Sequence, residues 1–147
     1  MWTDQWERQR TQRRRGSGLV ELALVIPIFL MLVLGIAEFG WAFFADHVLA
    51  TAAREGARVA VVTKPGEIVG QVNAKVTQVL AAANLNGAVV TVQPTNPSPT
   101  NLLPGDPVTV RVSLRYTPIT GVTSDVFGLR GLRNLTLQKT VVMRYEG

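Results

Sequence analysis

The chain has 147 residues, a formal charge of +5 and no cysteine. This allows one ordinary domain plus an anchor and excludes disulfides, thiolate metal sites and a cysteine nucleophile. The charge is gathered at one end: Arg8, Arg10, Arg13, Arg14 and Arg15, opposed by Asp4 and Glu7, supply +3 of it before Gly16. With near balance from Ser17 onward, no basic face is left to follow a phosphate backbone, and nucleic acid is not an expected partner.

After the arginines the sequence turns apolar. Leu22 to Ala37 carries no charge and holds 11 Leu, Ile, Val or Phe residues, worth roughly −5 kcal/mol on insertion. Leu19 to Phe44 would span about 39 Å as a helix, enough for a hydrocarbon core of about 30 Å with some tilt. Glu21 and Glu38 would lie about 26 Å apart along the axis, so each can sit near an interface, and Glu38 is expected to reach water there. A cleaved secretory signal has a shorter apolar region ending at small residues; this run continues into helix-compatible sequence and reads as an anchor. The arginine cluster places the N-terminus in the cytoplasm. Pro27 removes one intrahelical hydrogen bond inside the span.

The junction reads Arg13-Arg14-Arg15-Gly16-Ser17-Gly18-Leu19-Val20-Glu21-Leu22. Basic residues, a glycine, four residues and a glutamate entering an apolar helix resemble the leader junction of type IV prepilins and pseudopilins. ValGluLeuAlaLeuValIlePro at 20–27, GlyIleAlaGluPheGly at 35–40 and AlaAlaArgGluGlyAlaArg at 52–58 narrow this to a resemblance to the TadE-like family of the Tad pilus apparatus. The resemblance implies a minor pilin or pseudopilin that helps to assemble an adhesion pilus. It also implies a prepilin peptidase that cuts between Gly16 and Ser17, making Glu21 the fifth residue of the mature chain, and other pilins or pseudopilins as partners beside membrane lipid. A cut after Gly18 would leave the glutamate unexplained. Glu21, and Glu38 in the second block, are the residues expected to serve subunit assembly within the membrane.

The helix is expected to continue to about Val62. Ala45, Leu49, Ala52, Gly56 and Ala60 form a stripe of small residues for close helix packing, either on this protein's own domain or on a neighbouring subunit. Arg54, Glu55 and Arg58 read as a solvated face, and Asp46 with His47 as a polar pair at the membrane edge. Lys64-Pro65-Gly66-Glu67 starts a second helix. Its apolar face is Ile68, Val69, Val72, Val76, Val79, Leu80 and Ala83, and it stops at 84–87.

Ala88 to Gln93 is a candidate strand, and the proline-rich stretch from Pro94 to Pro107 is a loop. Val108, Val110, Val112, Leu114 and Tyr116 alternate with polar residues as a half-buried strand. Leu135, Leu137, Val141, Met143 and Tyr145 repeat the pattern, with Lys139 marking a bulge or an edge. The apolar connection from Thr117 to Asn134 reads as a core cap or a partner surface.

His47 is the only histidine, and the glycines form no phosphate-binding loop. No catalytic constellation, metal site, cofactor or small-molecule substrate is expected, and the chain does not read as an enzyme. The expected fold is α+β: a long N-terminal transmembrane helix continuing into a small domain with one amphipathic helix on an antiparallel sheet of about three strands. The expected division is a basic cytoplasmic leader (1–16), a transmembrane helix (17–45) and an extracytoplasmic domain (46–147) of a single-pass inner-membrane protein.

Overall fold

A computed structural model of the chain describes residues 3–94, 102–118 and 135–146, with residues 3–17 described by backbone alone. Helix α1 (Thr3–Val62) is followed by α2 (Ile68–Ala82) and strands β1 (Val89–Pro94), β2 (Pro107–Arg115) and β3 (Thr136–Arg144). The strands form one antiparallel sheet in the order β1-β2-β3. This is the expected α+β fold, with a candidate membrane helix at its N-terminus. Most of the 117–134 connection and of the loop before β2 lies outside the described residues, as do the side chains of the arginine cluster.

Helix α1 runs unbroken through Pro27 and ends where expected. From Gly18 to Ala37 its residues are exposed or half-exposed, whereas from Glu38 on one side is buried. The buried side is made of Ala45, Leu49, Ala52, Ala53, Ala57 and Ala60, which join Val72 and Val76 of α2 and Val108, Val110 and Val112 of β2 in one core. At Gly56 a Cβ would lie 2.7 Å from Val76 Cγ2, 3.3 Å from Val72 Cγ1 and 3.5 Å from Val110 Cγ1. Small side chains there let α1 approach α2 and the sheet at once.

Helix α2 buries Ile68, Val72, Val76 and Leu80, while Val69 is exposed. Its end follows a Schellman pattern. Asn84 takes φ 56°, its N–H donates to Ala81 O at 3.0 Å, and the Leu85 N–H donates to Leu80 O at 2.9 Å. Leu80 and Leu85 are both buried, supplying the apolar contact that goes with this motif. Before β2, Pro104 and Gly105 at φ 97° sit centrally in a turn closed by Asp106 N–H to Leu103 O at 3.0 Å, the residue pattern of a type II turn.

Strand β2 is central and buries Val108, Val110, Val112 and Leu114 against α1. β3 is an edge strand, with only alternate residues half-buried. Its register with β2 is continuous from Pro107↔Arg144 to Arg115↔Thr136, so Lys139 marks an edge and no bulge. The far end of α1 is closed by the last described residues. Glu146 N–H donates to Val61 O at 3.1 Å, the Tyr145 hydroxyl donates to Thr63 O at 3.2 Å, and Thr63 Oγ1 donates back to Val59 O at 2.6 Å. These bonds satisfy carbonyls that a helix C-terminus leaves without intrahelical partners.

Candidate functional site: where the apolar helix meets the domain

Gly18 to Ala37 would rise about 30 Å at 1.5 Å per residue, the thickness of a bilayer's hydrocarbon core. No residue of the most apolar window of this helix is buried by the protein, and no other described helix is long and apolar enough to cross a membrane. The next residue, Glu38, is only 8% exposed. The Tyr116 hydroxyl, just past β2, donates to Glu38 Oε2 at 2.9 Å and lies 3.3 Å from the Glu38 backbone oxygen. Burial pushes the Tyr116 phenol up to about 12, with the hydrogen bond to Glu38 and the charge of Glu38 adding to it. The neutral phenol is thereby held as a donor. A carboxylate at the end of a candidate membrane span is thus satisfied from within its own chain, which corrects the expectation that Glu38 reaches water.

Three and seven residues after Glu38 come Trp41, partly buried on the core, and Ala45, fully buried. Trp41 also stacks on Phe44, with ring centroids 5.4 Å apart. Phe39 and Phe43 point away from the domain and are 70% and 73% exposed. One turn above Trp41, Asp46 Oδ2 lies 2.9 Å from Lys139 Nζ of β3. The expected Asp46–His47 polar pair is therefore replaced by a contact across elements. His47 is exposed, and its backbone oxygen accepts from Thr51 Oγ1 at 3.0 Å. Arg58 and Glu55 lie 3.8 Å apart on the exposed side.

Among the expected site residues, Ala52, Gly56 and Ala60 lie in the core shared with α2 and β2. Glu21 is exposed on the other half of α1, far from Glu38. Gly16 and Ser17 continue the helical backbone without a break. Tyr116 was missed as a site residue because its role depends on a partner 78 positions away. The only local signal was a tyrosine ending an alternating strand, where its polar tip needs a partner.

Among the described residues, no group of three His, Asp or Glu side chains could hold a metal ion, and no buried side-chain nitrogen or oxygen lacks a hydrogen-bond partner. The arrangement joins a helix to a domain and brings no reactive groups together. Comparison with curated proteins and with solved structures gives no match. Residues 16–58 match a family model described as TadE-like protein, a match that starts at the glycine of the junction, takes in Glu21, Glu38 and Gly56, and stops before α2. The similarity to the TadE-like model falls on the part of the chain, Gly16 to Arg58, whose motifs carry the resemblance.

Proposed function

We propose that this protein is a single-pass membrane pseudopilin-like subunit serving assembly of a Tad-type adhesion pilus, with its N-terminus in the cytoplasm and its α+β domain on the far side. The observation that carries the reading is the TadE-like match over residues 16–58, together with one exposed apolar helix beside it. A prepilin peptidase removes residues 1–16, and the new amine at Ser17 is neutralised by Glu21 of its own or a neighbouring helix, because unpaired charge at that depth is costly. Glu21 then engages other pilins or pseudopilins within the membrane. Glu38 serves assembly indirectly, by fixing the domain on the helix through Tyr116.

One observation favours a second reading, an uncleaved anchored domain of another envelope complex: α1 is helical straight through Gly16 and Ser17. Proteolysis there requires local unwinding. Gly16 and Gly18 lower its cost, since glycine costs a helix about 1 kcal/mol relative to alanine. Intact mass of the protein expressed with its own peptidase decides between the two. Loss of Met1 to Gly16, blocked in Gly16→Leu and retained in Glu21→Ala, is expected. A wild-type chain that keeps its first sixteen residues would leave the anchored domain in place of the pseudopilin.

A further inference from the structure

We propose that the exposed aromatic face formed by Phe39 and Phe43, with Phe44 at its flank, is a lipid-contacting collar in the headgroup layer, which sets the depth of α1 and seats the membrane-proximal end of the domain on the bilayer surface. This rests on the single-pass reading and adds where the membrane ends and what covers these rings.

The first argument is continuity. Ile36, Phe39 and Phe43 follow one another on a single helix face, all largely exposed, and Ile36 belongs to the apolar stretch that the domain leaves uncovered. The second is where this face stops. One turn above Phe43 the same face carries His47, then Thr51, Arg54 and Arg58, all exposed. A second copy packed along the extramembrane helix would need apolar character to continue up that face. A bilayer needs it to end within the headgroup layer, about 5–8 Å thick on each side.

The third argument is side-chain direction. Helical side chains lean toward the helix N-terminus, which here faces the membrane, so the rings of Phe39 and Phe43 sit lower than their own Cα atoms. The fourth is the domain itself. Glu38 and Tyr116 pair on the opposite side of the same turns, so the polar domain begins where the hydrocarbon must end. Leu135, whose carbonyl accepts the Tyr116 N–H at 2.8 Å, is exposed at this same level. Phenylalanine on the apolar face of an interfacial helix buries at the boundary between headgroups and acyl chains.

The chain has no cysteine, so single-cysteine variants of the full-length protein carry a nitroxide without background. Val33→Cys, Phe39→Cys, Phe43→Cys and Thr51→Cys, each spin-labelled and reconstituted in phosphatidylcholine vesicles, are compared by collision with oxygen and with a water-soluble nickel chelate. Position 33 is expected to see oxygen only and position 51 mainly nickel. Positions 39 and 43 should see both, with position 43 about 15 Å shallower than position 33. If position 33 lies in hydrocarbon while 39 and 43 behave like 51, the collar is overturned and the span stands. If position 33 sees nickel freely, the single-pass reading fails, and the collar with it. Spin–spin broadening at 39 or 43 that is relieved by unlabelled protein would show a second copy on this face, and would equally overturn the lipid assignment.

Discussion

Helix α1 is one continuous element in two surroundings, and its halves solve opposite problems. Between Gly18 and Ala37 large apolar side chains such as Leu24, Ile28, Phe29 and Leu32 point outward. Between Glu38 and Val62 the buried apolar side is mostly Ala45, Ala52, Ala53, Ala57 and Ala60, with Leu49 and Val61 the larger members. Lipid would accept any apolar shape, so a first half that spans a membrane needs only hydrophobicity. A protein interior is close-packed, so the second half is selected for size, and small residues bring α2 and β2 near the helix axis. The buried Glu38 stands where one regime gives way to the other.

The sharpest way to break this comparison is to place the same large side chain where α1 is packed on the domain and where it is open. Gly56 is hemmed in by Val76, Val72 and Val110, two of them within 3.3 Å of where a Cβ would stand, and valine is stiff about χ1. Gly40, near the membrane exit, has nothing within 4 Å of such a Cβ. Gly56→Leu is expected to destabilise the domain by about 3 kcal/mol through overpacking, lowering its midpoint by about 12 °C or more. Gly40→Leu should leave the domain's midpoint near that of wild type. Thermal unfolding in detergent, followed by the sheet signal, measures both. Equal losses would show that glycine matters along α1 for some reason other than contact with this chain's own domain.

The boundary itself is tested next. Tyr116→Phe removes the donor to a buried carboxylate and should cost about 2 kcal/mol at pH 8. The cost carries a pH signature. The Tyr116 phenol has its pKa raised in the folded chain, from 10.0 to about 12. Its contribution is therefore complete below pH about 10 and is lost as pH rises through about 12. The stability gap between wild type and Tyr116→Phe should narrow over that window, and a gap that widens with pH would contradict the bonded neutral phenol. Glu38→Gln removes the two causes that come from Glu38 and leaves burial, so the phenol, read by absorbance in a Tyr145→Phe background, should stay above 10.

Local chemistry made most of the fold legible. The 3.6-residue spacing of Ile68, Val72, Val76 and Leu80, the Lys64-Pro65-Gly66-Glu67 start and the asparagine and glycine beyond the helix located α2. Period-two alternation located β2 and β3. These signals depend on residues within a few positions of one another. The pairing of Glu38 with Tyr116 and of Asp46 with Lys139 depends on how the sheet is set along α1, which no local periodicity encodes. That is why a water-reaching Glu38 and an Asp46–His47 pair looked reasonable from the sequence. The stripe through Ala52, Gly56 and Ala60 was legible as a packing surface, but its partner was not. Small residues announce close approach without saying whose helix approaches.

The smallest expected effect separates the two long-range polar contacts of α1. Asp46 and Lys139 side chains are 39% and 34% exposed, so solvent screens them, unlike the buried Glu38–Tyr116 bond. A double-mutant cycle on Asp46→Asn and Lys139→Met should give a coupling of about 0.5 kcal/mol that shrinks as salt is raised. Lys139→Met alone should be nearly neutral, since a methionine keeps the apolar stem beside half-buried Leu137 and Val141. The lysine has a further physical role: β3 is an edge strand, and a charge on its inward face opposes pairing with another sheet. Lys139→Met should therefore self-associate more than Asp46→Asn at equal stability, measured by sedimentation of the detergent-solubilised protein. A coupling well above 1 kcal/mol would mean that this contact is shielded from water much as Glu38 is, and the boundary between the two regimes of α1 would then move up to Asp46.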